Sequence, residues 1–123
     1  MVIIDTSVWI EFFKGNQPYY KEVLSLIENR TARTIQPIFG ELYQGALSDR
    51  ERMFISKFWE SIFKIEDSEL MLNAGLYSSE NKLVSKGVKL IDASIIYTAA
   101  KNSCTIWTLD KKLLNALEKK YVY

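Results

Sequence analysis

The chain has 123 residues, 48% apolar and 25% charged, with five glycines and two prolines, a composition that supports a sizeable core and excludes disorder and low complexity. Its formal net charge is +1 and histidine is absent, which excludes a Ser–His–Asp triad, a His-ligated zinc site and an imidazole acid–base pair. Cys104 is the one cysteine and no apolar run is long enough to span a membrane, so an internal disulfide is excluded, and with no basic leader before the first apolar run one cytoplasmic domain over residues 1–123 is expected.

The opening "VIIDTSVW" reads as a strand buried on both faces, ending in Asp5, Thr6 and Ser7, with a helix starting near Val8. "SVWIEFFKGN" predicts a short helix closed by Gly15, and "PYYKEVLSLIENR" a second one behind Pro18. "ARTIQP" fits a short strand, and Pro37 opens the helix "PIFGELYQGALS". In "DRERMFISKFWESIFK", Phe54, Phe58 and Ile62 recur at helical spacing beside Ile55 and Trp59. "IED" reads as a brief strand. One long helix is expected over "SELMLNAGLYSSENKLVSKG" up to Gly87, and another over "VKLIDASIIYTAAKN". "CTIWTLD" predicts a strand, with Cys104 packed beside it, then "DKKLLNALEKK" a helix and "YVY" a last edge strand. Strands alternating with helices imply an α/β fold with a small, mostly parallel sheet flanked by helices.

In such sheets ligands bind beyond the carboxyl ends of the strands. Asp5 ends the first strand and Asp110 follows the last buried one, so both are expected at that edge. Glu41 lies early on the helix after the second strand, and Asp92 is in line with the apolar stripe of Ile95, Ile96 and Ala99. Asp5, Asp92 and Asp110 also qualify as helix N-caps, and Glu41 as an ordinary surface acid. Converging acids without a basic partner repel, by about 4 kcal/mol for two charges 4 Å apart at an effective dielectric near 20. A fold escapes that repulsion by keeping protons on or by binding a cation. An oxygen-only donor set selects Mg²⁺ or Mn²⁺, which suits phosphodiester hydrolysis. Thr6, Ser7 and Thr108 then serve as hydroxyl donors that orient the carboxylates.

"IIDTSVWIEFF", "GELYQGAL", "LIDASIIYTAA" and "TIWTLDKKL" together resemble the PIN-domain nucleases, and within them the VapC-type toxins of toxin–antitoxin pairs. The resemblance runs from Val2 to about Leu114. It implies a three-layer α/β/α fold, acids at Asp5, Glu41, Asp92 and Asp110, and a hydroxyl at Thr108 and at Thr6 or Ser7. It also implies a Mg²⁺- or Mn²⁺-dependent endoribonuclease, a homodimer and a small cognate antitoxin. Ser94 and Tyr97 depart from the apolar and small residues usual there, and Lys111, Lys112, Leu113 and Leu114 follow Asp110 where the family sometimes carries a further acid. Three or four acids suffice for one metal.

With four of the 15 acids assigned to the pocket, 11 remain against 16 basic residues, an excess of five positive charges that suits a polyanion. Lys86, Lys89, Lys111 and Lys112 flank the acids in sequence and are the candidates for phosphate contacts, against the ordinary reading of lysine as solvated surface. Trp9, Phe12 and Tyr43 are candidates for base stacking, with core packing as the competing role for Trp9 and Phe12. "MFISKFWESIF" is apolar beyond one stripe, which marks either deep core or a surface for the antitoxin or a second protomer. An aspartate-nucleophile phosphatase requires an acid where Ser7 stands, and a phospho-acceptor receiver domain requires adjacent acids after the first strand, where Thr6 stands. The alternative to an enzyme is a non-catalytic PIN-like scaffold that binds RNA or protein.

Overall fold

A computed structural model describes all residues, Met1–Tyr123. Four short parallel strands, β1 (Val2–Ile4), β2 (Ala32–Thr34), β3 (Phe63–Lys64) and β4 (Thr105–Trp107), form one sheet in the order β3-β2-β1-β4. Val2 pairs with Ala32 on one side and Thr105 on the other, and Ile4 pairs with Trp107. β1 is fully buried, as its run of β-branched residues requires. It is also the strand at which the order reverses. The chain steps outward from β1 to β2 and β3, then crosses back to β4.

Helices α1 (Thr6–Phe13) and α2 (Tyr19–Glu28) join β1 to β2, and α3 (Gln36–Gly45) and α4 (Asp49–Ser61) join β2 to β3. The return crossover carries α5 (Leu70–Glu80), a 3₁₀ turn (Leu83–Lys86) and α6 (Leu90–Asn102), and α7 (Lys111–Ala116) follows β4. Crossovers that run in opposite directions with the same hand place their helices on opposite faces of a sheet. The result is a three-layer α/β/α arrangement, as expected. Trp9 is completely buried, and its ring lies 5.3–5.9 Å from those of Phe12, Phe13, Phe39 and Phe58, tying α1 to α3 and α4. Trp9 and Phe12 are therefore core residues rather than base-stacking platforms, while Tyr43 is exposed. Cys104 is buried as a small hydrophobe, and burial raises its thiol pKa.

Several expected boundaries shift. The long helix up to Gly87 breaks after Glu80, where Lys82 adopts a left-handed φ of +55°, and Gly87 at φ +78° closes the 3₁₀ turn. The brief strand is Phe63–Lys64 rather than "IED", because pairing with β2 sets its place; Ile65 N–H still donates to the Thr34 carbonyl at 2.9 Å. "YVY" makes a single bridge, Val122 to Ile106, not a strand. On α4 Ile55 is buried, Phe58 and Trp59 pack partly buried against the core, and Phe54 is exposed. The departures at Ser94 and Tyr97 are accommodated locally. The Ser94 hydroxyl donates to the Ile91 carbonyl, and Tyr97 OH donates to Asp67 at 3.3 Å while accepting from Lys101 Nζ at 3.1 Å.

Candidate active site

Asp5 holds the N-cap position of α1, yet its side chain makes no cap hydrogen bond. Its Oδ2 accepts from Ser7 Oγ at 2.8 Å and from Thr108 Oγ1 at 2.7 Å. These two hydroxyls, one of them from α1 itself, hold the buried carboxylate away from the free backbone N–H groups of the helix, so the capping role open to Asp5 in the sequence is not the one it takes. Each hydroxyl also accepts a backbone N–H, Ser7 Oγ from Leu109 and Thr108 Oγ1 from Asp110, both at 3.0 Å. The end of β1 is thereby fastened to the segment after β4.

Glu41 projects from α3, and its Oε1 accepts from Thr6 Oγ1 at 2.8 Å. Thr6 and Ser7 thus divide the work, one orienting Glu41 and the other Asp5. Asp92 sits in the first turn of α6 without capping it; the helix starts at Leu90, behind Lys89, so the capping alternative for Asp92 fails too. Its carboxyl is pushed up to about 6, first by burial, then by the charges of Asp5, Asp110 and Glu41, with Lys89 pulling the other way. Asp110 does cap its helix, accepting from Lys112 N at 2.9 Å and Leu113 N at 3.4 Å. Its charge still reaches Asp92.

The four acids therefore stand around one another at the edge where β1 and β4 end, the switch point of the sheet. None is in an ion pair, the ion pairs of the chain being Arg52–Asp49 and Lys120–Glu118. No three acids are gathered tightly enough, as the side chains stand, to hold an ion. The donor chemistry fits a hard divalent cation nonetheless: the ligands are all oxygen, and mutual repulsion already burdens Asp92.

Beside the acids runs a mostly apolar groove of about 650 Å³ between α1, α3 and α4, lined by residues that include Ile10, Phe13, Leu42, Phe54 and Phe58, with Glu41 in its wall. The sequence singled out only the α4 side of this groove; the "IEFF" of α1, apolar past its buried positions, signals the other wall.

A small parallel α/β chain with unpaired carboxylates at its switch point presents a set of oxygen donors where such sheets bind their ligands. The chain belongs to the PIN-domain family: the model of that family, described as PIN domain, matches residues 2–119. No curated protein matches it by sequence. Among solved structures, its fold is similar to a chain of VapBC2 from Rickettsia felis bound to a DNA fragment from their promoter (TM-score 0.74, 18% identity, 99% of this chain and 96% of that one). It is similar also to PAE2754 from Pyrobaculum aerophilum (0.68, 16%, 99% and 87%) and to FitAcB from Neisseria gonorrhoeae (0.60, 21%, 94% and 92%). At these identities the likeness is one of fold.

Proposed function

We propose that the chain, acting as one domain over residues 1–123, is a Mg²⁺- or Mn²⁺-dependent endoribonuclease and the toxin of a type II toxin–antitoxin pair, working in the cytoplasm. The observation that carries this reading is Asp92: half-buried, in no ion pair, and raised to about 6 by burial and by three other acids against the pull of Lys89. Family membership supplies the reaction class. Asp5, Glu41, Asp92 and Asp110 are the residues that would hold the ion. When bound, the ion supplies an activated water at neutral pH and neutralises charge on the phosphate. The protein's own part is orientation. Ser7 and Thr108 fix Asp5, Thr6 fixes Glu41, and the N–H groups of Leu113 and Lys112 fix Asp110.

The antitoxin is assigned to the apolar groove, whose wall reaches Glu41; a similar chain belongs to VapBC2 from Rickettsia felis, described as bound to a DNA fragment from their promoter. A second copy of the chain is assigned to the opposite layer, where Leu72, Leu76 and Leu90 are exposed together. The non-catalytic scaffold is the second reading, favoured by the absence of a ready three-acid grouping. One assay separates them. The chain freed of any partner should cut RNA with Mg²⁺ or Mn²⁺ and stop in excess chelator, and Asp5→Asn or Asp92→Asn should abolish cutting. Cleavage that survives the chelator or both substitutions would refute the metal-dependent enzyme, and intact RNA under all conditions would favour the scaffold.

A further inference from the structure

The two sides of the acid cluster differ in charge. On one side lie α1, α3 and the start of α4, where a mostly apolar groove is lined by Glu41, Glu51 and Lys14, Arg50 stands over Phe54 at its rim and Arg52 is paired with Asp49. On the other, the segment from Asn81 to Ile91 carries Lys82, Lys86 and Lys89 and no acid. The 3₁₀ turn within that segment packs against α7, whose first two residues are Lys111 and Lys112. All five lysines are exposed and none is in an ion pair. Lys89 stands close enough to the acids for its charge to act on Asp92.

We propose that the phosphodiester backbone of a single-stranded RNA runs along this one bank, over Lys82, Lys86, Lys89, Lys111 and Lys112, and avoids the groove side of the cluster. The assignment rests on the nuclease reading for the identity of the polymer and on charge placement for its path. Five unpaired cations in two adjoining segments, next to acids that repel phosphate, form a track that draws a polyanion to the rim of the cluster. The opposite bank is lined mostly by apolar side chains and carries Glu51 beside Lys14, so it suits a protein partner better than a phosphate backbone. Lys82 adds a backbone observation. A left-handed φ is unusual for lysine, and Asn81, which tolerates it better, is next door. The chain nevertheless puts the cation at that turn, on the bank.

Binding, not cutting, tests the path, so its outcome is separable from that of the nuclease assay. A short fluorescein-labelled single-stranded oligoribonucleotide is titrated with the full chain in chelator, and anisotropy is read across a salt series. Five phosphate contacts give a slope of log K against log [salt] of about −3.5, and each lysine removed reduces it by about 0.7. The double variant Lys86→Ala/Lys111→Ala should bind about tenfold more weakly, with a shallower slope, at roughly threefold per contact. The equally charged control Lys21→Ala/Lys57→Ala, on α2 and α4, should bind as the parent does. Equal loss in both pairs would show attraction by net charge alone and overturn the path. An unchanged affinity in the bank variant, or no binding by the parent chain, would overturn it as well.

Discussion

Asp5 and Asp110 begin from the same local grammar: each follows a parallel strand, and each precedes a helix whose first N–H groups need an acceptor. Asp110 meets that need, capping α7 through Lys112 and Leu113. Asp5 leaves its cap unmade and turns to the hydroxyls of Ser7 and Thr108. Local propensity is satisfied at one site and overridden at the other. The override is informative, because a buried carboxylate held by two hydroxyl donors and facing other acids is arranged for a ligand, whereas a capping carboxylate is arranged for its helix.

Substitution to Asn separates the two roles, since Asn caps nearly as well as Asp and accepts the same hydroxyl bonds but carries no charge. Asp5→Asn should abolish RNA cleavage while leaving urea-unfolding stability nearly unchanged. Asp110→Ala should lose about 1 kcal/mol of stability as its cap is removed, and Asp110→Asn should recover most of it while still cutting more weakly than the parent. If Asp5→Asn cut RNA as the parent does, Asp5 would leave the set of acids that hold the ion.

Thr108 joins the two regions, donating to Asp5 and accepting from Asp110 N. Thr108→Val keeps the shape but leaves the Asp110 N–H without its acceptor and Asp5 with one donor. Unfolding should show a loss of about 1–2 kcal/mol, and cleavage should fall roughly ten- to a hundredfold. Equal cleavage by this variant and the parent would remove Thr108 from the orienting set.

Much of this arrangement is readable in the sequence, and the remainder has identifiable causes. Alternating strands and helices gave the parallel sheet, and acids at strand ends gave its ligand edge, because both follow from periodicity and connection rules. Tyr97 at an expected small position was visible, but not its bond to Asp67, 30 residues away. The pairing of Thr6 with Glu41 was equally hidden, since the two lie 35 residues apart along the chain. The break after Glu80 is not legible in the sequence because no Gly or Pro marks it; Asn81 and Lys82 turn the chain. Asp92 passed as a cap candidate because α6 begins behind Lys89, a residue with no capping side chain. Short strands such as β3 are placed by their neighbours, so local pattern located it only to within a few residues.

The convergence of the acids is tested most directly through Asp92. Its ordinary value is 3.8 and its folded value about 6, so between about pH 4 and pH 6 the native chain holds a proton that the unfolded chain has released. That contribution to stability is fully present below pH 4, declines as pH rises, and is gone above pH 6. Solvent screening of a half-buried group limits the difference to about 1–2 kcal/mol. The measurement is urea-unfolding stability of the parent and Asp92→Asn across pH 4 to 8, with and without Mg²⁺. Without metal, Asp92→Asn should match the parent near pH 4 and exceed it by about 1 kcal/mol at pH 7, and Mg²⁺ should stabilise the parent more than the variant. Parallel pH profiles for the two chains, or equal stabilisation by Mg²⁺, would contradict a cluster of acids that a divalent cation relieves.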